Sequence, residues 1–160
     1  MKKLLLMATK ELCDVFAHHK PIPQLVDLFT EHEAVAISHG HPCLAPWLGV
    51  EYIGRTEIAG YFGQLFDALS LELMIFADPF IDEDNLAVTV MGTAKWTYKK
   101  TGKSWMAAFT WVLEFAEGET EGDSAEREVK IRKYSVWADS GAVSCTTCLL
   151  FTTCDTSTIT

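Results

Sequence analysis

Few side chains in this chain pair proton-transfer chemistry with a position that a fold would shield from water. His39 is one. It stands in "AVAISHGH", residues 34–41, where Val35, Ile37, His39 and His41 alternate onto one side of a strand, the side expected to point into the core. An imidazole there can exchange a proton near neutrality, or it can be a hydrogen-bonded core histidine at a cavity edge; the pattern leaves both open. His41 lies one step nearer the next loop and is expected to be more exposed. Tyr134, in "KIRKYSVWAD", carries a phenol able to donate to a developing oxyanion. Such groups catalyse when burial tunes their proton affinity and apolar walls orient the substrate. His18 and His19 close the first predicted helix, where positive charge complements the helix C-terminus, and read as structural.

Material for apolar walls is plentiful. In "MAAFTWVLEF", residues 106–115, Ala107, Phe109, Trp111, Leu113 and Phe115 share one side of a strand, while Thr110, Val112 and Glu114 share the other. Glu114 is therefore expected at solvent or at a dimer contact. Trp47 lies in a Pro-rich loop, Trp96 and Trp137 on other predicted strands, and Tyr61, Phe62 and Phe66 on one stripe of a helix. Most of these rings must be core. A tryptophan in a lid loop plus others on adjacent strands also suits a pocket for a large apolar ligand.

The elements that would hold these residues follow from periodicity. A helix is predicted over 3–19, and "PIP" at 21–23 ends it. "QLVDLFTEH" makes a short second helix, the early strand follows, and "PCLAPWLGVEYIG" is a loop. Thr56 and Glu57 open a third helix, "EIAGYFGQLFDAL". Four long strands come next: "LELMIFADPFI", "NLAVTVMGTAKWTYKK", "KSWMAAFTWVLEF" and "REVKIRKYSVWAD". In the last, Ile131, Lys133, Ser135 and Trp137 alternate with Arg132, Tyr134 and Val136. A single bulge decides which set faces inward. Three helices against a mostly antiparallel, strongly curved sheet is an α+β plan, and such a sheet wrapped on helices makes a cone with a cavity at its wide end.

The totals restrict the partners. The 160 residues suit one domain, and a net charge of -9 argues against nucleic acid and against anionic membrane surfaces. "MKKLLLMATKELCDVF" begins like a signal peptide, but Lys10, Glu11 and Asp14 break its apolar run, so an amphipathic helix and a cytoplasmic protein are expected. Five cysteines, one pair of them in "CTTC" at 145–148, have no second ligand pair and no redox context, and read as free thiols with no metal site. The seven acidic residues from Glu114 to Glu128 mark a solvated hairpin loop.

"LVDLFTEHEAVAISHGH", "GRTEIAGYF", "AVTVMGTAKWTYKKTGKSW" and "FTWVLEF…EVKIRKYSVWAD" together resemble NTF2-like proteins of the SnoaL type, over roughly residues 8–141, with an ending like that of small fungal members. The resemblance implies a cone-shaped NTF2-like fold and cofactor-free chemistry on a hydrophobic small molecule. The implied activity is an isomerase or cyclase of secondary metabolism, with a dehydratase or hydrolase, or a non-catalytic binding or dimerisation module, as alternatives. It also implies a homodimer through the outer face of the sheet. Arg55 matches the family's surface charge before its helix. Ser135 stands where the family often has a carboxylate, which puts a simple carboxylate base in doubt. Asp139 matches the family's terminal aspartate, as a catalytic group or as a cap of the strand end. The expected catalytic set is His39, Tyr134, Ser135 and Asp139. The expected substrate wall is His41, Trp47, Tyr61, Phe62, Phe66, Trp96, Phe109, Trp111 and Trp137.

Residues 142–160, "VSCTTCLLFTTCDTSTIT" in the main, depart from the family's short apolar ending. Val143 and Ser144 can be encoded by GTAAGT, a fungal intron donor sequence, so the tail reads as translated intron.

Overall fold

Leu5, Thr9, Leu12, Val15 and Phe16 recur at three- and four-residue spacing, and they are the buried stripe of the first helix, α1 (Lys2–Ala17). The computed structural model describes residues 1–118 and 128–139. The acidic segment and the tail, with its cysteines and its proposed intron origin, fall largely or wholly outside the described residues.

The second helix, α2 (Ile22–Val26), is five residues long, much shorter than predicted. The chain after it is captured by the sheet: Ile131 N–H donates to Leu28 O at 2.9 Å, and Thr30 N–H donates to Ile131 O at 3.0 Å. Strand pairing has taken the backbone groups that a longer helix would have used. Arg55 is a partly exposed charge that also has a structural use: its Nε donates to Phe29 O at 3.1 Å and ties this segment to the third helix.

Strand β1 (Val35–His39) pairs with β2 (Glu51–Ile53), which lies within the predicted loop. Helix α3 (Gly54–Ala68) follows, with Glu57 accepting from the Ile53 N–H at 2.8 Å at its start. Then come β3 (Leu69–Phe76), β4 (Phe80–Asp82), β5 (Ala87–Tyr98), β6 (Lys103–Glu117) and β7 (Val129–Ala138). The sheet order is β2-β1-β7-β6-β5-β3, with β4 also on β5. Only the β1–β7 pairing is parallel among the named strands. The helices cover its concave face, so the α+β plan holds. No helix among the described residues is long and apolar enough to cross a membrane.

Two irregularities decide which side chains face inward. On β7 the register shifts between Glu114 and Phe115 of β6: Phe115 opposes Ile131, but Glu114 opposes Lys133. Arg132 is the extra residue, and its guanidinium pairs with Glu114 at 2.8 Å. Beyond this bulge, buried Tyr134 and Val136 take the concave side. Ser135 and Trp137 go to the convex side. A second shift, between Leu71 and Leu73, does the same on β3, turning Leu73 and Ile75 outward, where they are exposed.

The early strand reverses its expected facing. Ala36 and Ser38 are buried, whereas Val35, Ile37 and His39 are only partly so. Small residues sit inside because α3 packs closely over this strand, and a large side chain would not fit there. On the convex side, Met91, Thr110, Trp137 and His39 form one cross-strand row.

Candidate active site

The concave face of β6 presents Phe109 and Trp111, as its alternation predicts, and both are buried. Phe16 of α1 meets Trp111 at a centroid distance of 4.9 Å, and Phe109 lies 5.1 Å from Trp111. Together with Trp47, Trp96, Trp105, Leu65, Leu69 and Met74 they enclose an interior cavity of about 80 Å³. This is well below the roughly 300–1,000 Å³ of ordinary small-molecule pockets. Side chains fill most of the cone.

The cavity wall holds few polar groups. Ser38 Oγ and Tyr61 Oη are 2.6 Å apart, both buried. Burying Tyr61 without a partner would leave its hydroxyl unsatisfied, and Ser38 supplies that partner across the helix–strand contact. Burial pushes the Tyr61 phenol up to about 12, and the bond to Ser38 opposes that only in part. Tyr134 also lines the cavity, within a cage of Phe29, Phe62 and Trp111 rings, and burial raises its phenol well above the ordinary tyrosine value. Its hydroxyl makes no hydrogen bond to another of the described residues. Both phenols are therefore held neutral, as donors. Asp139, exposed at the end of β7, lines the same space with Ala138 and marks where the cavity meets solvent.

The expected site residues separate into two groups. Trp47, Tyr61, Trp96, Phe109, Trp111, Tyr134 and Asp139 come together around the cavity, and His39 reaches its rim. The His39 ring itself stacks on Trp137, with centroids 4.0 Å apart and planes within 8°. Trp137 is 45% exposed on the convex side, so it is not cavity wall. Ser135 is on that side too, between Ile37 and Val112 in the sheet. His41 is exposed and accepts from the Cys43 N–H at 3.3 Å, a local turn contact. Phe62 is fully buried core, and Phe66 lines a separate cleft. Ser38 lies outside the expected set. The signal for it was present: a tyrosine on the buried stripe of α3 needs a polar partner, and Ser38 is the hydroxyl on the facing strand.

Among the described residues, no three His, Cys, Asp or Glu side chains gather closely enough to hold a metal ion. Burial pushes the Cys13 thiol up to about 12, so it is an inert thiol rather than a nucleophile.

A helix-covered, curved, mostly antiparallel sheet with its cavity against the helices is the NTF2-like, ketosteroid isomerase-like fold. The chain is similar in structure to an NTF2-like protein from Burkholderia thailandensis, with a TM-score of 0.67 and 16% identity over 90% of this chain and 97% of the other. It is likewise similar to a ketosteroid isomerase-like protein from Erwinia carotovora atroseptica, with a TM-score of 0.62 and 16% identity over 86% and 95% of the two chains. A third, TerC co-crystallised with polyporic acid, gives a TM-score of 0.66 and 14% identity over 86% and 93%. At these identities the likeness is one of fold. No family model matches the sequence, and no curated protein matches it.

Proposed function

We propose that this chain is a cofactor-independent isomerase or cyclase that moves a proton on a hydrophobic carbonyl compound, of the kind found in secondary metabolism. The observation that carries this reading is the buried Ser38–Tyr61 hydroxyl pair, 2.6 Å apart, in a wall otherwise dominated by aromatic side chains. A carbonyl oxygen bound there would accept a hydrogen bond from Tyr61, and charge developing on it would be stabilised out of water. Asp139 at the mouth takes the proton from the carbon beside that carbonyl and returns it to a different carbon, so protons balance over the turnover. With about 80 Å³ inside, the reacting end of the substrate occupies the cavity and the remainder lies between Trp47 and Asp139. The co-crystallisation of the similarly folded TerC with polyporic acid supports a small organic ligand for this fold.

A dehydratase or hydrolase has less to stand on. Asp139 is the one carboxylate among the described lining residues, and the His39 ring is stacked on Trp137. A non-catalytic binding module is favoured by one observation, the small volume. The two are separated with a small β,γ-unsaturated ketone, whose conversion to the conjugated isomer is followed by ultraviolet absorbance. Turnover above the buffer rate, reduced about 100-fold or more in Asp139→Asn, is expected. Binding of the ketone without any turnover would replace the catalytic reading with the binding one.

The same reading includes a second copy of the chain on the convex face. Ile75, Met91, Met106 and Trp137 are each exposed there by between 43% and 56%, interleaved with Thr93 and Thr110, and exposed apolar side chains gathered on one face are of the kind that marks protein contacts. Sedimentation velocity is expected to show a dimer, and Met91→Lys to shift it to monomer. A monomeric wild-type protein at micromolar concentration would remove the dimer.

A further inference from the structure

We propose a second ligand site, distinct from the interior cavity, in the cleft between the C-terminal ends of α1 and α3, and we infer that it takes an apolar molecule bearing a carboxylate. The cleft has a volume of about 330 Å³, against about 80 Å³ inside the cone. It alone of the two reaches the size range of ordinary ligand pockets. Its floor is apolar, from Leu25, Phe66, Leu69 and Leu71, and its ionisable lining residues are His19, Lys20 and Lys99. No acidic side chain is among the described lining residues, although the chain carries a net charge of -9.

The cations are not equivalent. Lys20 is ion-paired with Asp14 beside the cleft, so its charge is already answered. Lys99 Nζ donates to Phe66 O at 2.5 Å, which fixes the ammonium at the edge of the apolar floor. An ammonium has three donors, so two remain for a ligand. A held cation above an apolar floor is complementary to a carboxylate on a hydrocarbon body, and the body brings the larger share of the binding energy. Phe16 and Leu69 line both spaces, but Ile22 and Lys99 line only the cleft and Ala107 only the interior cavity, so each space can be altered alone.

Lys99 also answers a carbonyl at the C-terminus of α3, a purely structural use. The test must therefore read ligand binding as well as stability. Calorimetric titration of the full chain with decanoate is expected to show one site, with decanol binding about tenfold more weakly because it lacks the charge. Lys99→Met should bring decanoate down to the decanol level. Ile22→Trp, which fills the cleft and leaves every cation in place, should abolish binding of both. Ala107→Leu, inside the cone, should leave both unchanged. Each variant is checked for an unchanged circular dichroism spectrum. The site is overturned if decanoate fails to bind, if decanoate and decanol bind equally, or if Ala107→Leu removes decanoate while Lys99→Met and Ile22→Trp do not.

Discussion

Tyr61→Phe is expected to lower turnover of the β,γ-unsaturated ketone about 100-fold and to leave the protein folded, because in the proposed mechanism it deletes the donor to the developing oxyanion. The ring stays, so its packing against Phe62, at a centroid distance of 4.7 Å, is kept. The lost bond to Ser38 costs about 1 kcal/mol of stability. The loss should fall on kcat rather than KM, since the bond strengthens as charge builds on the oxygen. Ser38→Ala should be milder, because Tyr61 keeps its proton to donate. The phenol, pushed up to about 12, does not ionise in the working range, so the rate should show no tyrosine titration near its ordinary value of about 10. The folded value lies above the unfolded one. Tyr61 therefore supports stability fully below about pH 10 and progressively less as pH rises toward about 12. A folded Tyr61→Phe protein with wild-type turnover would remove the hydroxyl pair from the mechanism.

What the sequence made legible was periodicity. The amphipathic first helix and the alternation in "MAAFTWVLEF" both appear in the fold. What it hid were the places where periodicity breaks. The bulge at Arg132 has no turn residue to announce it, yet it exchanges Ser135 and Trp137 for Tyr134 and Val136 on the concave face. The question of a missing carboxylate at Ser135 changes accordingly, since that position faces away from the cavity. On β1 the large side chains suggested an inward face, but close packing by α3 put Ala36 and Ser38 there instead. Size is a poor guide to facing where a helix and a strand approach closely. Phe62 and Phe66 share a helical stripe with Tyr61, and a stripe says which residues are covered, not which of them border an empty space. The cleft at Lys99 joins residues from α1, α2, α3, β3 and the end of β5, a proximity that no local pattern carries.

Gly92→Ala should be the most destabilising single methyl in the sheet, at about 3 kcal/mol, the upper end of what overpacking usually costs. Gly92 lies between Phe76 on β3 and Phe109 on β6 in one cross-strand row. Those two rings meet edge to face over it, with centroids 5.8 Å apart. A methyl on Gly92 would stand 2.5 Å from Phe109 Cζ and closer still to the Ile75 carbonyl oxygen. The ring can yield only toward the cavity, and the carbonyl cannot move without disturbing the β3–β5 pairing. Urea denaturation of Gly92→Ala, Phe109→Ala and the double variant separates the two clashes. In the Phe109→Ala background the added methyl should cost less, because the ring is gone, but still more than zero, because the carbonyl remains. An unchanged denaturation midpoint for Gly92→Ala would mean that the two rings do not close over the strand. The same methyl should also shrink an already small cavity, so ketone binding should weaken in step with the loss of stability. Stability lost with ketone affinity intact would place the bound ketone away from Phe109.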